Sequence, residues 1–164
     1  MSFIIATTRF NNETFMENKR WRETNLVGGC IYKVPIKIAS SITIGIGMYI
    51  IEMNNSTNKI EGIGVIRNQL RYDCSNMIYS DRNYNRYTYR GVKRVDREEI
   101  LAADGGEEFL QEMESVLFKG KGHMKRGQSI TRLPIKKSLP KYVKFISGLV
   151  FVSTVVIDSV ESAV

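Results

Sequence analysis

Residues 119–144 contain no acidic side chain, and residues 98–118 contain no basic one. Histidine occurs once and cysteine twice, which excludes the common zinc-ligand spacings and a disulfide-built scaffold. Cys30 and Cys74 therefore read as free thiols in a reducing, intracellular setting. With three prolines and 13 glycines, the chain has no collagen-like repeat and no low-complexity linker. The N-terminal MSFIIATTRF lacks the basic start and long apolar core of a secretory signal. The longest largely apolar stretch, Phe145 to Ile157, runs 13 residues, against the ~20 that a membrane helix needs. Gly-x-Ser-x-Gly and the phosphate-loop spacing Gly-x-x-x-x-Gly-Lys-Ser/Thr are both missing, and no cysteine lies close to the histidine in sequence. Those absences point to no cofactor, no metal and no recognisable catalytic centre.

What remains is a chain of 164 residues, 43% apolar and 25% charged, enough for one domain with one core. We read residues 1–144 as that domain, and residues 145–164 as an apolar strand or helix packed on it or used for self-association. The formal charge is +7 and is unevenly placed. Residues 82–97 carry net +5, residues 98–118 net −7 and residues 119–144 net +9. A basic face attracts polyanions and raises their encounter rate. The acidic stretch either pairs with a basic block inside the fold or leaves both blocks on the surface.

The order of elements predicts an α+β fold. Phe3–Thr8 is a β-branched, apolar strand. Asn12 is placed to cap a helix over Glu13–Arg22, with acids near its start and bases near its end. Cys30–Val34 reads as a strand stopped by Pro35. Gly47–Met53 and Lys59–Arg67 read as a hairpin around the turn Asn54–Asn58. Gly62 and Gly64 inside the second strand signal a bulge or a close approach. Tyr84–Arg90 alternates aromatic and polar residues, as an edge strand would. Helical periodicity follows from about Arg97, broken at Gly105-Gly106, with Phe109, Leu110, Met113, Val116 and Leu117 on one face.

Two segments combine charge with recognition chemistry. In RNYNRYTYRGVKRVDR (82–97), arginines supply phosphate contacts and tyrosines supply faces for bases, worth ~1–3 kcal/mol per stacked base. The expected contacts are Arg82, Arg86 and Arg90, with Tyr84 and Tyr87 stacking; the alternative is a half-buried strand with its tyrosines turned inward. In KGKGHMKRGQSITR (119–132), glycines let the backbone approach an anion, and successive N–H groups can form a nest around it. Lys121, Lys125 and Arg126 are its expected phosphate contacts. Trp21, Thr7, Asn54 and Gln128 are candidates for a base pocket, although a lone tryptophan on a helix reads first as a packing residue. His123 reads as a hydrogen-bonded structural group, or as a catalytic one if the chain is an enzyme.

The hairpin GMYIIEMNNSTNKIEGIGVIRN (47–68), with its strand Ile60-Glu61-Gly62-Ile63-Gly64-Val65-Ile66, resembles PUA-like domains of the EVE, YTH and ASCH type. FIIATT (3–8) resembles their opening strand, and Trp21 followed by GGCIY (28–32) resembles the segment that lines their pocket. EMNNSTNKIEGIG, YNRYTYRG and KGKGHMKRGQSITRLP also resemble segments of proteins of large DNA viruses. The resemblance implies a small curved β-barrel with flanking helices that binds RNA or a modified base in DNA or RNA. It also implies an intracellular setting in an infected host, or a place in the virion. The other function it leaves open is that of a virion structural protein using its basic surface for protein contacts. ASCH-type hydrolases are the precedent for an enzyme.

Overall fold

The computed structural model describes residues 2–25, 28–73 and 77–150. Its main sheet has five strands in the order β6-β4-β3-β1-β7, formed by Ile4–Phe10 (β1), Gly47–Asn54 (β3), Lys59–Arg67 (β4), Lys93–Asp96 (β6) and Thr131–Arg132 (β7). A second sheet pairs Cys30–Val34 (β2) with Tyr87–Gly91 (β5). Neither sheet closes into a barrel, so the fold is mixed α and β with two open sheets.

β1 and β3 run parallel, with Ile5 opposite Tyr49 and Thr8 opposite Glu52. Parallel neighbours need a crossover. The chain makes it through α1 (Asn12–Thr24) and β2. The cap of α1 is Asn11 rather than Asn12: its side chain accepts from Thr14 N at 2.8 Å, and Thr14 Oγ1 accepts from Asn11 N at 3.0 Å. β3 and β4 form the expected hairpin, with a register shift at Glu52/Met53. β5 and β6 are nearly continuous; the chain leaves one sheet for the other at Val92.

Alternating side chains divide the core between two faces of the main sheet. On one face Ile5, Ile51, Met53 and Ile63 pack against Leu110, Met113 and Leu117 of α3 (Gly106–Phe118) and against Ile146. Ile146 belongs to a helix over residues 140–150, α4. The rest of the segment 145–164, expected to pack on the domain or to self-associate, lies outside the described residues from 151 onward. A short helix, α2 (Arg97–Ala102), adds Ile100 to this face. On the other face Ala6, Met48, Ile50 and Ile66 meet Ile31, Tyr32 and Tyr89 of the second sheet. Each fully buried aliphatic side chain contributes ~1.5–3 kcal/mol.

The two sheets approach closely at β4. A Cβ at Gly64 would lie 2.1 Å from Tyr32 Oη and 2.7 Å from Cys30 Sγ. The glycine in the strand interior thus marks the close approach that its position suggests. Between the sheets sits a buried ion pair. Arg94 Nη2 lies 2.6 Å from Glu52 Oε1, and Tyr32 Oη donates to Glu52 Oε2 at 2.7 Å. Burial alone would lower the Arg94 pKa, but Glu52 outweighs it and holds that pKa above its ordinary value. Removing one partner of such a pair costs about 3–5 kcal/mol, because the other charge stays buried.

Candidate functional site

At the C-terminal end of β1 lies a cleft of about 210 Å³. Its walls come from distant parts of the chain: Thr8, Phe10 and Asn11 from β1 and the cap, Tyr32 to Pro35 from β2, Asn55 from the hairpin turn, Tyr79 and Tyr84, and Gly127 to Ser129. Pockets for drug-sized ligands run ~300–1,000 Å³, so this one suits a single ring system. No aspartate or glutamate is among the described residues that line it.

One wall is aromatic. The Tyr79 and Tyr84 rings meet edge to face, 6.5 Å apart at 84°. Tyr79 is buried, and its hydroxyl accepts from Asn18 Nδ2 at 3.1 Å. Burial pushes its pKa up, as it does for Tyr32, so both stay neutral phenols at physiological pH. Tyr84 is 39% exposed and stands at the rim. It sits on a 3₁₀ turn, Arg82–Asn85, not on the edge strand expected for Tyr84–Arg90. Asp81 caps that turn through Asn83 N at 3.0 Å, and Asn85 Oδ1 accepts from both Ile78 N and Tyr79 N. These side chains give the backbone local partners that compete with a sheet ladder.

Another wall comes from the loop of residues 124–131, wrapped around Arg9. Arg9 Nε donates to Gly127 O at 3.1 Å, and Nη1 donates to Met124 O at 2.9 Å and to Thr7 Oγ1 at 3.0 Å. Nη2 donates to Thr131 Oγ1 at 2.9 Å and to Ser129 O. Every N–H of the guanidinium fork is thereby used, and each acceptor is neutral. Burial lowers the Arg9 pKa, yet it remains far above neutrality for any arginine. A second fastening comes from Asn55 Nδ2, which donates to Lys125 O at 2.9 Å. Asn55 Oδ1 is buried and has no hydrogen-bond partner among the described residues.

Of the residues singled out by sequence, Tyr84 and Gln128 line the cleft. Arg82 and Arg86 are exposed on and just after the Tyr84 turn, while Lys125 is half-buried and Arg126 exposed in the loop of residues 124–131. Lys121 is exposed just ahead of that loop in sequence. Arg90 lies half-buried in β5. Tyr87 does not line the cleft; its half-buried ring carries Lys37 Nζ 5.3 Å and Arg86 Cζ 5.9 Å from its centroid. Trp21 packs from α1 against the second core and does not line the cleft.

Thr7 is fully buried, on the opposite face of β1 from its neighbour Thr8, which does line the cleft. Asn54 is buried with its amide donated to Asn12 Oδ1 at 3.0 Å, leaving the next residue, Asn55, at the cleft. His123 Nδ1 accepts from Lys125 N at 3.2 Å and lies outside the cleft lining. The residues that sequence reasoning missed are Arg9, Tyr32, Asn55 and Tyr79. Arg9 left one signal, a cation ending a β-branched apolar strand.

The acidic stretch lies on the other side of the main sheet, where α3 packs. Glu114 pairs with Arg97 at 2.8 Å, and Glu112 with Lys141 at 2.8 Å. Arg97 ends the first basic block and Lys141 lies in the second, so the acidic stretch pairs with one residue of each; Glu114 also accepts from Ile60 N at 2.8 Å and Glu112 from Tyr142 Oη at 3.0 Å. Among the described residues, no cluster of histidine, cysteine or carboxylate side chains could hold a metal ion, and no helix is long and apolar enough to cross a membrane. Set against protein-family models, curated proteins and solved structures, the chain gives no match.

Proposed function

We propose that the protein binds single-stranded nucleic acid, either RNA or a strand carrying a modified base, with one base held in the cleft. One observation carries the reading. Two segments rich in basic residues, some 40 residues apart in sequence, both contribute to the lining of a single cleft, Tyr84 from one and Gln128 from the other. Arg82 and Arg86 flank the tyrosine, and Lys125 and Arg126 precede the glutamine. The cleft has room for one ring system, an exposed aromatic face beside it, and no lining carboxylate to repel phosphate. A stacked base contributes ~1–3 kcal/mol, and flanking cations hold the backbone in register. The resemblance to PUA-like domains implies the same class of ligand, while the two sheets, both open, do not form the barrel it implies.

Fluorescence anisotropy with a short single-stranded RNA and its duplex tests it. The single strand binds more tightly than the duplex, and Tyr84→Ala weakens binding by about tenfold, the equivalent of ~1.4 kcal/mol. Equal, Tyr84-independent binding of both forms contradicts a base in the cleft. Absence of binding to any nucleic acid returns the basic segments to the protein-contact reading.

A further inference from the structure

The loop beside the cleft has an unusual distribution of backbone groups. Its carbonyls are drawn inward: Met124, Gly127 and Ser129 to Arg9, and Lys125 to Asn55. In a trans peptide the next N–H points opposite to the carbonyl. The N–H groups of Arg126 and Gln128 therefore point away from the groups that fasten the loop. Neither has a hydrogen-bond partner among the described residues, and both residues are exposed. Gly127, between them, is also exposed, with φ +125°, a conformation that side chains rarely adopt. A Cβ there would also lie 3.4 Å from Arg9 Cζ. Beneath the loop, the Arg9 guanidinium carries a charge that no carboxylate among its partners offsets.

We propose that residues 126–128 form a phosphate site, in which outward N–H groups of a loop moulded on Arg9 take the anion's oxygens and Lys125 and Arg126 close over it. Two unpartnered N–H groups on the outer side of one loop can take two of an anion's oxygens, as in the backbone concavities that bind phosphate. Arg9 is a positioning residue, since its own donors are spent on the loop. Its charge favours the anion from below, and its fork sets the direction of the N–H groups above. The site deepens the nucleic-acid reading and rests on it for the source of the phosphate, a phosphodiester next to the base in the cleft. A free phosphate or a phosphomonoester offers the same oxygens.

Amide NMR of the full chain separates these sources. Inorganic phosphate, a dinucleoside monophosphate without terminal phosphate, and sodium chloride at matched ionic strength are added in turn. The site predicts that both phosphate probes shift the amides of Arg126, Gly127 and Gln128 and that chloride does not. Arg9→Lys keeps the charge but loses the fork. It is expected to abolish these shifts and to open the Lys125–Arg126 bonds to trypsin, with the remaining spectrum preserved. Shifts from inorganic phosphate alone support the site with a free phosphate or monoester as its ligand. Shifts from the dinucleotide at Tyr84 but none at residues 126–128 overturn the site and leave the cleft reading standing. No shift from either probe in the wild-type protein overturns the site outright, whether or not Arg9→Lys folds.

Discussion

Cys30 shows how strongly position sets the chemistry of a single side chain. It lies fully buried between the sheets, its Sγ 3.7 Å from Val65 O. Burial, with the nearby Glu52 charge adding to it, pushes its pKa up to about 12. An unfolded cysteine titrates near ~8.5, so between those values the unfolded chain has lost a proton that the folded one keeps. The folded state then binds more protons, and stability falls as pH rises through that window. Tyr32 and Tyr79, also pushed up by burial, act in the same direction. Urea midpoints are therefore expected to drop between pH 8.5 and 11, and Cys30→Ala to flatten part of that drop. Alkylation mapped by mass spectrometry at pH 8 is expected to leave Cys30 unmodified in the folded protein. At this scale little was legible beforehand. Arg9 reaches partners 115 and 122 residues away, and no local pattern announces a contact of that span. Thr7 and Trp21 had suitable chemistry, but Thr7 is turned to the other face of its strand and Trp21 packs against the second core.

Elements were read more successfully where the signal was periodic and bounded. The hairpin of β3 and β4 follows from two apolar runs around an asparagine-rich turn, and α3 follows from its apolar face at helical spacing. The segment around Tyr84 misled because alternation there comes from an Asp- and Asn-stabilised turn followed by a short strand. Helix α1 has a consequence for the site. Its cap, Asn11, and Thr14 both line the cleft, and its Asn18 holds Tyr79. Losing an asparagine cap costs ~1 kcal/mol. Asn11→Ala is expected to lower stability by about that amount in denaturant unfolding. Because the cap forms one wall, it also weakens oligonucleotide binding by more than an exposed-helix substitution such as Lys19→Ala. Equal binding by the two variants would detach α1 from the site.

For the molecule as a whole, the fold pairs part of the acidic stretch with the basic blocks, through Glu114–Arg97 and Glu112–Lys141, and keeps carboxylates out of the cleft lining. The acidic helix α3 covers one face, and the loop of residues 124–131 runs from that side, where Met124 packs, to the other, where Ile130 is buried, passing the cleft between. The uneven charge was plain in the sequence, but its placement by the fold was not, since it depends on β1 sitting between β3 and β7 and so bringing the loop of residues 124–131 beside β2. The central claim is that both basic segments touch phosphate at once. The most direct measurement is the slope of log affinity against log salt for single-stranded RNA, in wild type and in Arg86→Ala/Arg126→Ala. Each phosphate contact to a single strand contributes about −0.7 to that slope, so losing one from each segment is predicted to make it shallower by about 1.4. A double variant whose slope matches the wild type, or a wild type whose affinity ignores salt, would contradict the account.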